Sequence, residues 1–120
     1  MKQKNIVLIG MPGAGKSTVG VVLAKKLGYA FLDSDLVIQS REGKLLHEII
    51  EAHGVEQFWS IEEEANLSIN AVRTVIATGG SVIYGGRAME HLGQGGVIVY
   101  LNLSCEEIVR RLGDLNERGV

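Results

Sequence analysis

The stretch Gly10-Met11-Pro12-Gly13-Ala14-Gly15-Lys16-Ser17 constrains this chain more than any other. It fits the pattern G-x-x-x-x-G-K-[ST], the signature of a phosphate-binding loop. Asn5-Ile6-Val7-Leu8-Ile9 precedes it as an apolar run of strand length. Thr18 to Leu27 follows, with Val19, Val22, Leu23 and Leu27 on one helical stripe and Gly28 as the stop. The order is strand, glycine loop, helix. Glycines let the backbone curl so that successive N–H groups point at one anion. The helix N-terminus adds partial positive charge. In this setting Gly13, Ala14, Gly15, Lys16, Ser17 and Thr18 are the candidate nucleotide-binding residues. Lys16 is expected to place its ammonium on the β- and γ-phosphates of ATP, and the Ser17 hydroxyl to take a coordination position on Mg²⁺.

The bulk numbers exclude several classes. At 120 residues the chain is expected to be one domain, and 46% hydrophobic content is enough for a core. A net charge of −2, with its basic residues scattered, gives no electrostatic footprint for nucleic acid. Cys105 is the sole cysteine, so there is no disulfide framework, and a reducing compartment fits best. Cys105 itself reads as a small packing residue. The N-terminal apolar run is too short for a signal peptide, and no run approaches membrane-spanning length. The expectation is a cytoplasmic protein with no membrane partner.

Further along, Ala30-Phe31-Leu32 reads as a second strand ending at Asp33-Ser34-Asp35. Open parallel sheets place their functional crevice at the carboxyl ends of the strands. The D-x-D spacing lets one carboxylate serve a metal while the other faces a substrate hydroxyl. Both aspartates also suit helix capping. Leu36 to Glu42 reads as a short helix broken at Gly43, followed by an apolar stripe Leu45, Leu46, Ile49, Ile50 ending near Gly54. His47 and His53 on that stretch read as surface residues. A longer helix opens at Phe58 and runs to Ile69. Its Glu62-Glu63-Glu64 run reads as a solvated face, and Trp59, the single tryptophan, as either a packing residue or a wall of the substrate pocket. Thr74 to Ala77 reads as the third strand, with Thr78-Gly79-Gly80-Ser81 at its carboxyl end, where two glycines permit close approach by a ligand. A short helix spans Ala88, Met89 and Leu92, a fourth strand covers Val97 to Leu101, and a capping-box helix starts at Ser104. The tail from Gly113 to Val120 reads as a lid over the phosphates or a frayed terminus. The alternation of strands and helices predicts an α/β layered fold with a parallel sheet.

Taken together, these residues resemble the shikimate kinase family of P-loop kinases. The resemblance rests on the phosphate loop, Phe31 to Asp35, Gly54 with Glu56 and Phe58, the Glu62-Glu63 pair, Ala77-Thr78-Gly79-Gly80, and Val109-Arg110-Arg111. It implies a three-layer αβα P-loop kinase fold with strand order 2-3-1-4-5, and transfer of the ATP γ-phosphoryl to the 3-hydroxyl of shikimate, a small-molecule acceptor, by a monomer. It implies that Asp35 contacts the acceptor hydroxyl and that Asp33 lies near Mg²⁺. Gly79 and Gly80 would contact substrate, Arg118 would be the lid arginine on the ATP phosphates, and Arg110 would stand beside the nucleotide. Catalysis would thus fall to Lys16, Asp35 and Arg118.

Three departures stand out. The family carries an arginine after the phenylalanine at Phe58, and this chain has Trp59. Loss of that charge-assisted contact to a carboxylate is worth about 1.5–3 kcal/mol. The family's glycine run ends here in Ser81. The chain also stops within the lid, so it is expected to be a single P-loop kinase domain over residues 1–120 without the fifth strand. Two alternatives follow: a kinase for another polyol or sugar acid, favoured by Trp59, and a nucleotide-binding module without catalysis. A GTPase is disfavoured by the absence of an N-K-x-D motif.

Overall fold

The computed structural model describes residues 4–10 and 15–101. Four strands alternate with five helices over that span: β1 (Asn5–Gly10), α1 (Lys16–Leu27), β2 (Ala30–Asp33), α2 (Ser34–Glu42), α3 (Leu46–His53), α4 (Val55–Leu67), β3 (Thr74–Ala77), α5 (Gly86–Gln94) and β4 (Gly96–Leu101). A 3₁₀ turn at Val82–Tyr84, which periodicity does not reveal, lies between β3 and α5. The sheet is parallel throughout, in the order β2-β3-β1-β4.

Side-chain alternation in β1 makes the layers. Val7 and Ile9 join Ile76, Val82 and Leu92 in one buried cluster, while Leu8 joins Val75 and Ala24 of α1 on the opposite face. Helix α1 therefore covers one face of the sheet, and α5 with Ile69, just after α4, covers the other. A third cluster, Ile38, Ile49, Phe58 and Ala65, binds α2, α3 and α4 to one another. Residues Val97 to Tyr100 of β4 stay partly exposed, with Ile98 reaching Gly93 of α5.

Helix boundaries differ from the periodic pattern at points where a backbone group decides. Helix α2 begins at Ser34 rather than Leu36, because Asp33 caps it by accepting from the Asp35 N–H at 2.9 Å. Helix α4 begins at Val55, ahead of Phe58, because Gly54 (φ 83°) both closes α3 and turns the chain into α4. At the amino ends of the strands, buried Asn5 donates from Nδ2 to Ala71 O at 2.8 Å and accepts at Oδ1 from Thr74 N at 2.9 Å. It ties the start of β1 to the entry of β3.

Candidate active site

The carboxyl ends of β1, β2 and β3 open on a cavity of about 480 Å³. Its walls come from the start of α1 (Gly15 to Thr18), from Asp35, from Leu46 and Ile50 of α3, from Phe58 and Glu62 of α4, and from Thr78 to Ser81.

Gly15 caps α1 in the left-handed region (φ 80°, ψ 28°), which a glycine adopts without strain. That turn aims the amino end of α1, and Lys16 with it, into the cavity. Lys16 is buried to 9% exposure, and its Nζ donates to Gly10 O at 2.8 Å. Burial pulls its pKa down, and the facing Asp35 carboxylate opposes that. Ser17 Oγ donates to Asp33 Oδ2 at 3.0 Å, while the other oxygen of Asp33 holds the α2 cap. One carboxylate thus both caps a helix and meets the loop serine. Asp35, two residues later in the first turn of α2, faces the cavity instead. Burial raises its pKa, Asp33 adds to the rise, and Lys16 counters it.

At the far wall Thr78 prolongs the β3 ladder, its N–H and Oγ1 both donating to Leu8 O, at 3.2 and 2.7 Å. This fixes Gly79 against β1. A Cβ on Gly79 would meet Glu62 Oε2 at 2.7 Å and Asp35 Oδ1 at 2.9 Å, so two carboxylates close on this glycine from different helices.

Glu62 is the residue that sequence reasoning missed. The solvated reading of the glutamate run holds for exposed Glu64, and Glu63 and Glu64 both pair with exposed Arg87, at 3.1 and 3.0 Å. It fails for Glu62, which is 3% exposed and accepts from Ser81 Oγ at 2.7 Å. Burial pushes its pKa up, the Ser81 hydrogen bond pulls it down, and Asp35 pushes it up again. A signal was present: Glu62 stands four residues after Phe58 and four before Asn66, on the buried stripe of α4.

Lys16, Asp35, Gly79 and Gly80 therefore surround one cavity together with Gly15, Ser17 and Thr18, and Asp33 joins them through Ser17. Trp59 does not line it. Its ring packs on Tyr84 (centroids 4.9 Å apart, planes at 31°), and Phe58 is the aromatic that reaches the cavity. His47 and His53 are exposed. Gly13, Ala14, Cys105, Arg110 and Arg118 lie outside the described residues.

The family model for shikimate kinase matches residues 12–120. The chain belongs to the shikimate kinase family. Shikimate kinase of Geobacter sulfurreducens is 42% identical over 96% of this chain and 64% of its own length. That of Paracidovorax citrulli is 43% identical over 92% of this chain and 62% of its own. Among solved structures, shikimate kinase of Acinetobacter baumannii in complex with shikimate superposes with a TM-score of 0.78 at 39% identity, over 87% of this chain and 59% of that one. The Aquifex aeolicus enzyme gives 0.72 at 35% identity, covering 85% and 61%. The chain thus spans less than two thirds of the length of these shikimate kinases.

Proposed function

We propose that this chain catalyses, or forms the nucleotide- and acceptor-binding part of an enzyme that catalyses, transfer of the ATP γ-phosphoryl group to the 3-hydroxyl of shikimate. The observation that carries the reading is the single cavity shared by Lys16, Ser17, Asp35 and Gly79. Membership of the shikimate kinase family supports the acceptor.

In this reading the ATP phosphates lie against the amino end of α1, and Lys16 neutralises charge on the β- and γ-phosphates. Ser17 and Asp33 offer a hydroxyl and a carboxylate oxygen 3.0 Å apart, hard donors that suit Mg²⁺. When bound there, Mg²⁺ supplies charge neutralisation on the transferring group. Asp35 accepts the hydrogen bond of the acceptor hydroxyl and orients its oxygen in line with the γ-phosphorus. The new O–P bond forms as the bond to the ADP oxygen breaks, and the hydroxyl proton passes to Asp35. The transition state is loose, so this positioning matters more than basicity. Gly79 and Gly80 give the acceptor room against the backbone. Arg110 and Arg118 would complete the charge neutralisation around the nucleotide. The same reading makes the protein a cytoplasmic monomer, in keeping with a sequence that holds one cysteine. Among the described residues no helix is long and apolar enough to cross a membrane.

Trp59 favours a second reading, a kinase for another polyol or sugar acid, because a tryptophan at this position offers an acceptor carboxylate no cation. ADP release from Mg-ATP, measured with and without shikimate, separates the two. Stimulation by shikimate is the expected result. Stimulation by gluconate or a neutral polyol but not by shikimate would transfer the activity to the second reading.

A further inference from the structure

Two contacts join helix α4 to the segment after β3, and each involves a position where this chain departs from the pattern its sequence resembles. Trp59 packs on Tyr84, the last residue of the 3₁₀ turn. Ser81, just before that turn, donates to Glu62 Oε1 at 2.7 Å. The second contact bears on the cavity. A carboxylate as buried as Glu62 needs a donor, and among the described residues the Ser81 hydroxyl is that donor. With Oε1 held, Oε2 is left over Gly79, where it and Asp35 Oδ1 converge on one point at the cavity wall.

We propose that Ser81 is a positioning residue of the acceptor site: its hydroxyl turns Glu62 so that Oε2 stands beside Asp35 Oδ1, and the two oxygens together receive a vicinal diol of the acceptor, one hydroxyl each. The ligand in this statement rests on the acceptor reading of the cavity given above. The role of Ser81 rests on the hydrogen bond itself. Two carboxylates at this end admit hydroxyl donors first and turn any anionic group of the acceptor away. The charged group facing Glu62 is Asp35 on α2, which in turn faces Lys16 on α1. Glu63 and Glu64 of its own helix are engaged with Arg87.

The test uses Ser81→Ala, Ser81→Thr and Glu62→Gln in the full chain, with two readouts. The first is the carboxyl ¹³C titration of Glu62, assigned by its loss in Glu62→Gln. Loss of the Ser81 hydroxyl should move the Glu62 midpoint upward in Ser81→Ala, and Ser81→Thr should restore it. The second is steady-state kinetics with shikimate. Ser81→Ala should raise the acceptor KM about tenfold, the worth of one hydrogen bond to a charged group. The KM for ATP should not change, Ser81→Thr should behave as wild type, and Ser81→Ala should add nothing on top of Glu62→Gln. An unmoved Glu62 titration in Ser81→Ala, or kinetic effects of the two substitutions that add, overturns the proposal. If no acceptor supports turnover, the catalytic reading fails, and the titration alone decides the role of Ser81.

Discussion

Asp33 and Asp35 show how much one residue of spacing decides. Both lie at the carboxyl end of β2, both are carboxylates, and both were legible as candidates from their place after a strand. Their separate duties were not, because capping and ligand-facing roles draw on the same residue type. The fold divides them: Asp33 caps α2 and meets Ser17, and Asp35 is turned into the cavity. Burial raises the pKa of Asp35 above its unfolded value, as it does for Glu62. A raised carboxylate favours the fold fully below the unfolded carboxylate range, and that contribution is lost as pH rises through the folded value. Asp35→Asn should therefore stabilise the protein by on the order of 1 kcal/mol at about pH 7 while abolishing turnover. The gain should shrink to nothing near pH 3, where both proteins carry a neutral group. Urea unfolding across that range checks it, and a gain independent of pH would contradict the burial argument.

At the scale of elements, periodicity located every strand and helix of the described chain except the 3₁₀ turn at Val82–Tyr84. It missed the ends of α2 and α4 because a capping carboxylate and a positive-φ glycine, rather than a change of hydrophobic period, set them. It also misjudged one face of α4. A run of three glutamates spans most of a helical turn, so one of the three must point inward when the helix packs on α2 and α3 to one side and on α5 and the 3₁₀ turn to the other. Asn5 was read only as a strand residue, yet it joins two strands through two buried hydrogen bonds. Asn5→Ala leaves Ala71 O and Thr74 N without those partners and should cost about 2–4 kcal/mol. Asn5→Asp, which keeps an acceptor for Thr74 N but sets a buried carboxylate oxygen against Ala71 O, should cost at least as much. Shifts in the denaturation midpoint measure both.

Over the described residues the molecule is a parallel sheet with helices on both faces, and a cavity at the carboxyl edge brings the start of α1 opposite Asp35, Glu62 and Gly79. A ligand that binds only the folded form stabilises it by mass action, by about 2.7 kcal/mol at a hundredfold excess over Kd. Mg-ADP should thus raise the melting temperature by several degrees. Removing Mg²⁺ with EDTA should cut the shift, and Lys16→Met should abolish most of it. An equal shift in Lys16→Met would place the nucleotide elsewhere. The sequence by itself determined the phosphate loop, the strand–loop–helix unit around it, the α/β class and the family, because these reside in local spacing and in residue types with few alternative uses. Only the tertiary structure decided that Glu62 is buried and held by Ser81, that Trp59 turns to Tyr84, and that Asp35 and Glu62 converge on Gly79. Those outcomes depend on which helix faces bury against which strands. That choice is made by contacts between segments far apart in the chain, and no short pattern encodes it.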